Sequence, residues 1–133
     1  MTHVLAIDQG TSGTKAIVVD EAGAVLSLAE VPLHPRYLDG GGVEQDPQAL
    51  LDSVLVAGRQ AAAEAGVRVG AVALANQGET VLAWDRASGA PLSQAIVWQD
   101  SRAESICAAR RDRGDRVAEL TGLVLDPYFS APK

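Results

Sequence analysis

A chain of 133 residues, 47% hydrophobic and 21% charged, has the length and balance of one folded domain, which excludes a disordered or collagen-like polymer. Its formal net charge of −6 argues against nucleic acid or a membrane surface as partner, and no apolar run approaches the ~18 residues of a membrane span. One cysteine, Cys107, excludes an internal disulfide and a multi-cysteine zinc site, and the start Met1-Thr2-His3-Val4 lacks the layout of a signal peptide, so a cytoplasmic setting is expected.

Val4 to Asp8 is a short apolar run ending on a carboxylate, and Gln9 to Gly13 is a turn. Ala16 to Val19 and Ala24 to Leu33 predict two more strands around the turn Glu21-Ala22-Gly23, which makes an antiparallel three-strand meander. Pro32 to Gly42 predicts a loop. Asp46 then caps a helix with Pro47 in its first position, and Gly66 stops it. Leu50, Leu51, Val54, Leu55, Ala61, Ala62 and Ala65 form its apolar stripe, and Gly58 weakens it.

Val67 to Ala75 predicts a strand buried on both faces, as follows a helical crossover. Asn76 to Glu79 is a polar break. Thr80 to Trp84 and Ala95 to Trp98 predict a hairpin. Ser101-Arg102-Ala103-Glu104 reads as a capping box opening a helix to about Arg111. Asp115 to Leu120 predicts a short helix ended by Thr121-Gly122, and 126–133 has no regular pattern. The order points to an α/β chain with a mixed sheet and flanking helices.

Two segments carry chemistry. From Asp8 to Lys15 a carboxylate ends one strand, a hydroxyl-rich turn follows, and a lysine opens the next strand. Backbone N–H groups around Gly10, Thr11, Ser12 and Gly13 suit phosphate oxygens, Lys15 adds positive charge, and Asp8 suits a hydrated Mg²⁺. The spacing is neither a P-loop nor a dinucleotide fingerprint. The same residues also suit an ordinary hairpin. In the second segment Gly78 and Glu79 follow a strand end, where α/β sheets place ligands. Glu79 can accept hydrogen bonds from a polyol, Trp98 offers an apolar face and Tyr128 a hydroxyl on a rigid ring. Read singly, Glu79 is equally a solvated charge and Trp98 a core residue. Cys107 has no basic neighbour to activate it, and Arg110, Arg111, Arg113 and Arg116 read as a solvated face.

Five segments together resemble the amino-terminal part of the FGGY carbohydrate kinases, the glycerol-phosphorylating branch most closely. They are Ala6-Ile7-Asp8-Gln9-Gly10-Thr11-Ser12, Val43-Glu44-Gln45-Asp46-Pro47, Asn76-Gln77-Gly78-Glu79-Thr80, Ala95-Ile96-Val97-Trp98-Gln99, and Thr121-Gly122-Leu123 with Asp126-Pro127-Tyr128-Phe129-Ser130. They span nearly the whole chain in the family's order. The resemblance implies a ribonuclease-H-like, actin-like ATPase domain, incomplete over residues 1–133. It implies transfer of the γ-phosphoryl group of MgATP to a terminal hydroxyl of a polyol or sugar, with glycerol to glycerol 3-phosphate first among the candidates. By the same resemblance Thr11, Ser12 and Gly13 hold ATP phosphates, Lys15 is a basic nucleotide contact and Asp8 organises Mg²⁺. Glu79 and Tyr128 bond the polyol, and Trp98 packs on its carbons. A homo-oligomer is expected at full length.

Two departures qualify the match. The branch typically carries Arg before the Glu, where this chain has Gly78. The family's catalytic aspartate and adenine pocket lie beyond the matched segments, so the 133 residues alone are expected to be inactive. A kinase for another polyol or a ketose such as xylulose, and a non-catalytic module that binds phosphate or a partner, are the alternatives.

Overall fold

The structure, a computed structural model, describes residues 2–133, which divide into two compact units. The first comprises the residues to Pro35 together with Asp46–Gln77, and the second Arg36–Gln45 together with Gly78–Lys133. Among the described residues no helix is long and apolar enough to cross a membrane.

In the first unit β1 (His3–Gln9), β2 (Gly13–Val19) and β3 (Val25–Pro32) form the expected meander. Helix α1 (Pro47–Ala65) crosses over to β6 (Val69–Asn76), which pairs parallel to β1 and gives a mixed sheet of order β3-β2-β1-β6. The two-residue period of the strands decides which side chains meet the helix. Leu5 and Ile7 face the same way as their cross-strand partners Val18 and Ala16, and Ala29 joins them beside Ala16. Ala57 and Ala61 of α1 complete that buried cluster. Asp46 caps α1 by accepting from Gln48 N at 2.9 Å, and Gly66 ends it in the left-handed conformation.

The packed face of α1 keeps most of the expected stripe, with Ala61 buried and Val54 and Ala65 packed against the cluster, but it is shifted toward small side chains. Its buried residues are Ser53, Ala57, Gly58 and Ala61, whereas Leu51 and Leu55 are exposed. Close approach of helix to sheet requires small side chains on that face. A Cβ on Gly58 would meet Ile7 Cδ1 at 3.2 Å, so this glycine sets the packing distance and is more than a weak point in the helix. Ser53 also anchors the contact: its hydroxyl lies 2.6 Å from Thr14 Oγ1 in the core and bonds back to Leu50 O at 2.7 Å.

Strand β6 corrects a second expectation. It was expected to be buried on both faces, but Val72 and Leu74 are 65% and 63% exposed. β1 covers one edge of this strand, and it is the last strand of its sheet. An apolar groove of about 390 Å³ runs beside it, lined by Leu5, Ile7, Val54, Leu55, Val72 and Leu74 among others.

The second unit is built on a small antiparallel sheet of β4 (Arg36–Tyr37), β5 (Val43–Gln45) and β7 (Ala95–Ile96). The predicted loop over 32–42 therefore contains the end of β3, strand β4 and a 3₁₀ turn at Asp39–Gly41. The predicted hairpin is only sparsely bridged, at Val81 with Ile96 and at Trp84 with Pro91. Two short helices follow, α2 (Glu104–Ala109) and α3 (Gly114–Thr121), the latter ended by Gly122 as expected. Cys107 is buried on α2.

The capping box does not form. α2 has no side-chain cap, and Ser101 Oγ instead reaches Gly41 O at 3.4 Å while Ser101 N bonds the same carbonyl at 2.9 Å. Gly41 itself has φ +82°, and a Cβ there would overlap Ser101 Oγ. Gly41→Ala is therefore expected to lower stability by about 1–3 kcal/mol. Adding Ser101→Ala should recover only the steric part, because the left-handed backbone remains. Urea unfolding of the two variants measures both terms.

Candidate functional site

The hairpin between β1 and β2 is closed by Gly10 N donating to Gly13 O at 2.9 Å. Gln9 Nε2 donates to Gly10 O at 2.7 Å, and Thr11 Oγ1 to Gln77 Oε1 at 3.0 Å. Gln77 N in turn donates to Gln9 O at 2.8 Å, continuing the parallel ladder. Gln9 and Gln77 thus brace the turn from the ends of two neighbouring strands. Gln9 and Gln77 stand inside the quoted segments, yet their bracing role was not read from them. Ser12 stands exposed at the tip, and its carbonyl accepts from Leu33 N at 2.9 Å. Gly13 lies against β3, where a Cβ would meet Val31 O at 3.0 Å.

Asp8 and Lys15 are direct cross-strand partners, so they leave the sheet on one face. Both line a groove of about 520 Å³ with Ala6, Ile17, Leu28 and Ala75. Asp8 is exposed and has no hydrogen-bond or ion partner among the described residues. Lys15 lies 3.8 Å from Glu30 in a solvated pair worth little. No group of three metal-ligating side chains occurs among the described residues. A lone carboxylate still fits Mg²⁺, which keeps several waters and takes its remaining oxygens from substrate phosphates.

In the second unit the structure brings Glu79, Trp98 and Tyr128 into one network. Glu79 is the only non-glycine with positive φ among the described residues, at 62°. Its Oε2 accepts from Ser130 N at 3.0 Å, and Ser130 Oγ lies 3.0 Å from both Oε2 and Glu79 O. Oε1 takes no hydrogen bond among the described residues. Trp98 and Tyr128 meet edge to face, with centroids 5.8 Å apart and planes at 62°. Trp98 is half-buried and Tyr128 exposed, so neither ring is core. Lys133 Nζ donates to Trp98 O at 3.2 Å and to Tyr128 O at 2.6 Å. Burial pulls its ammonium below the ordinary lysine value, opposed by the charges of Asp100, Glu79 and Asp126. Gly78 is exposed, with no atom within 4 Å of the position a Cβ would take.

Asp100 supports this unit from beneath. It is 1% exposed and accepts from Val43 N at 2.6 Å and from Arg102 N and Nε, while Arg102 also pairs with Glu44 at 2.8 Å. Burial alone would raise its pKa, but the hydrogen bonds from Arg102 and Val43 and the guanidinium charge together outweigh burial and hold it below 3.8. On sequence Asp100 borders the second candidate segment and reads otherwise as a cap for the next helix; the structure makes it a buried anchor, and α2 has no side-chain cap.

A hydroxyl-rich hairpin between the first two strands of a sheet ordered β3-β2-β1-β6, with a helical crossover to the fourth, defines a ribonuclease-H-like, actin-like ATPase fold. Residues 3–133 match the N-terminal domain of the FGGY family of carbohydrate kinases, and the chain belongs to that family. It is 46% identical over its whole length to the glycerol kinase of Methylibium petroleiphilum, and covers 28% of that protein. Among solved structures, 99% of the chain superposes on 28% of a Plasmodium falciparum glycerol kinase with ADP, at TM-score 0.91 and 29% identity. A xyloylose kinase from Brucella ovis matches 98% of the chain at TM-score 0.85 and 30% identity, over 28% of its own length. The chain thus spans a little over a quarter of the length of the relatives it matches.

Proposed function

We propose that this chain is the amino-terminal, ligand-holding part of an ATP-dependent kinase that phosphorylates a terminal hydroxyl of a polyol, with glycerol as the substrate. The observation that carries this reading is the Glu79–Trp98–Tyr128 network. It combines a carboxylate that has one oxygen unbonded among the described residues with an edge-to-face aromatic pair, both tied to the segment 128–133, and a plain phosphate-binding module has no need of these. Glu79 would accept hydrogen bonds from the polyol and fix its orientation, Trp98 would cover its carbons, and Tyr128 would add a hydroxyl. On the first unit Gly10, Thr11, Ser12 and Gly13 would hold ATP phosphates, with Lys15 supplying charge. Asp8 would hold Mg²⁺, which when bound neutralises phosphate charge. Holding reactants in position is most of the work in phosphoryl transfer. None of the matched segments supplies the base for the attacking hydroxyl, so the chain's share is binding and orientation.

Titration of glycerol, a pentitol and a ketopentose against Trp98 emission, read in a Trp84→Phe protein, tests the reading. A response to glycerol is expected. Silence towards all three would favour a phosphate-binding module without a polyol site.

Gly78 favours a second substrate reading, a larger polyol or ketose, since open space stands where the related enzymes' Arg is expected. Gly78 has an ordinary φ, so an arginine fits the backbone. Gly78→Arg is expected to tighten glycerol binding about tenfold or more, the worth of one charged hydrogen bond. Unchanged glycerol affinity in a folded Gly78→Arg protein would contradict this account of position 78.

A further inference from the structure

We infer that Ser130 and Lys133 are positioning residues for the polyol site, Ser130 fixing the Glu79 carboxylate and Lys133 fixing the Trp98–Tyr128 pair. The inference rests on the polyol reading for its consequence and on the hydrogen bonds alone for its geometry. Residues 126–133 contain no helix or strand; inside the segment Tyr128 N donates to Asp126 Oδ1 at 2.8 Å, which sets the turn but does not tie it to the rest of the chain. Bonds from this segment reach back to distant parts of the chain at the two positions concerned. Ser130 reaches Glu79 across 51 residues, and Lys133 reaches Trp98 across 35.

The chemistry of each side chain suits its task. An ammonium has three donors, and Lys133 spends two of them on the carbonyls of the two residues whose rings are paired. Fixing both carbonyls fixes the backbones that carry the rings, hence the edge-to-face geometry. Ser130 gives Glu79 Oε2 a backbone N–H, and its hydroxyl reaches both Oε2 and the carbonyl of that left-handed residue. With Oε2 engaged in this way, Oε1 is the carboxylate oxygen left to meet a ligand hydroxyl.

The test uses the protein carrying Trp84→Phe, so that Trp98 is its one indole. Near-ultraviolet circular dichroism and Trp98 emission read the ring pair without any ligand, and emission during a glycerol titration reads affinity. Lys133→Met is expected to lose the aromatic dichroism band with the far-ultraviolet spectrum unchanged, and to weaken glycerol binding about tenfold. Lys133→Arg, which can reach both carbonyls, should restore most of each signal. Ser130→Ala should weaken glycerol binding to a similar degree while keeping the ring-pair band, and Ser130→Thr should restore it. Should Lys133→Met fail to fold, Lys133→Gln is read in the same way. Parental dichroism in the Lys133 variants, or parental affinity in Ser130→Ala, overturns the corresponding assignment. If the parent itself ignores glycerol, the polyol reading fails. The Lys133 assignment is then decided by the ligand-free band, and the Ser130 assignment falls with the site it serves.

Discussion

Replacing Asp100 by alanine is expected to destabilise the protein by about 2–4 kcal/mol, the largest effect of any single polar substitution considered for this chain. The carboxylate is buried and holds three groups at once: the N–H of Val43, the N–H of Arg102 and its guanidinium. Removing it strands a buried donor on β5 and leaves the Arg102 guanidinium with Glu44 alone. The estimate sits below the usual cost of breaking a buried pair because Arg102 is 37% exposed and keeps Glu44. The same contacts set a pH dependence. A carboxyl whose native pKa is depressed contributes stability that is complete above its unfolded pKa, near 3.8, and is lost as pH falls through the lower native value. The acid limb of a stability profile should therefore be steep below pH 3.8 and should flatten in Asp100→Asn. Urea unfolding from neutral pH down into that range measures it. An unchanged acid limb in the Asn variant would show that other carboxylates carry the acid sensitivity.

Glu79→Gln is expected to weaken glycerol binding by about thirty- to a hundredfold with little change in stability. The two effects separate because Glu79 is half-buried, and Gln retains the shape and one acceptor for Ser130. The left-handed backbone stays as it is in both proteins, so its strain cancels in the comparison. What is lost is the charge that the proposed site would turn toward a polyol. A Glu79→Gln protein that binds glycerol as the parent does would remove this residue from the polyol site. Equal losses of stability and affinity would mean that its role is to hold the Ser130 segment.

Much of this architecture is legible along the chain, and the reason is local chemistry. Asp46-Pro47 and Gly66 fix the ends of α1 because caps depend on one or two residues. The meander follows from apolar runs and turn residues close in sequence. The hairpin residues Asp8 and Lys15 are likewise neighbours through a short turn, and their pairing on one face follows from register. Features that depend on distant partners were misread or missed. Gly58 looks like a weak point until Ile7 is seen against it. Ser101 and Glu104 have the spacing of a capping box, but Gly41, sixty residues earlier, takes the serine. Leu51 and Leu55 sit at helical spacing, yet the face that meets the sheet is chosen by small side chains. In the candidate polyol site, Glu79, Trp98 and Tyr128 could be named from residue type and family motif. The bonds that Ser130 and Lys133 make to Glu79 and Trp98 could not, because they join residues 51 and 35 positions apart.

On the proposed function two sets of residues in this chain would hold two different ligands. The most direct measurement is a ¹⁵N-resolved NMR titration, first with glycerol and then with MgADP. The account predicts that glycerol shifts the amides of Glu79, Trp98 and Tyr128, and that MgADP shifts those of Gly10, Thr11, Ser12 and Lys15. Nucleotide shifts confined to other residues, or glycerol shifts absent from the Glu79–Trp98–Tyr128 network, would contradict it.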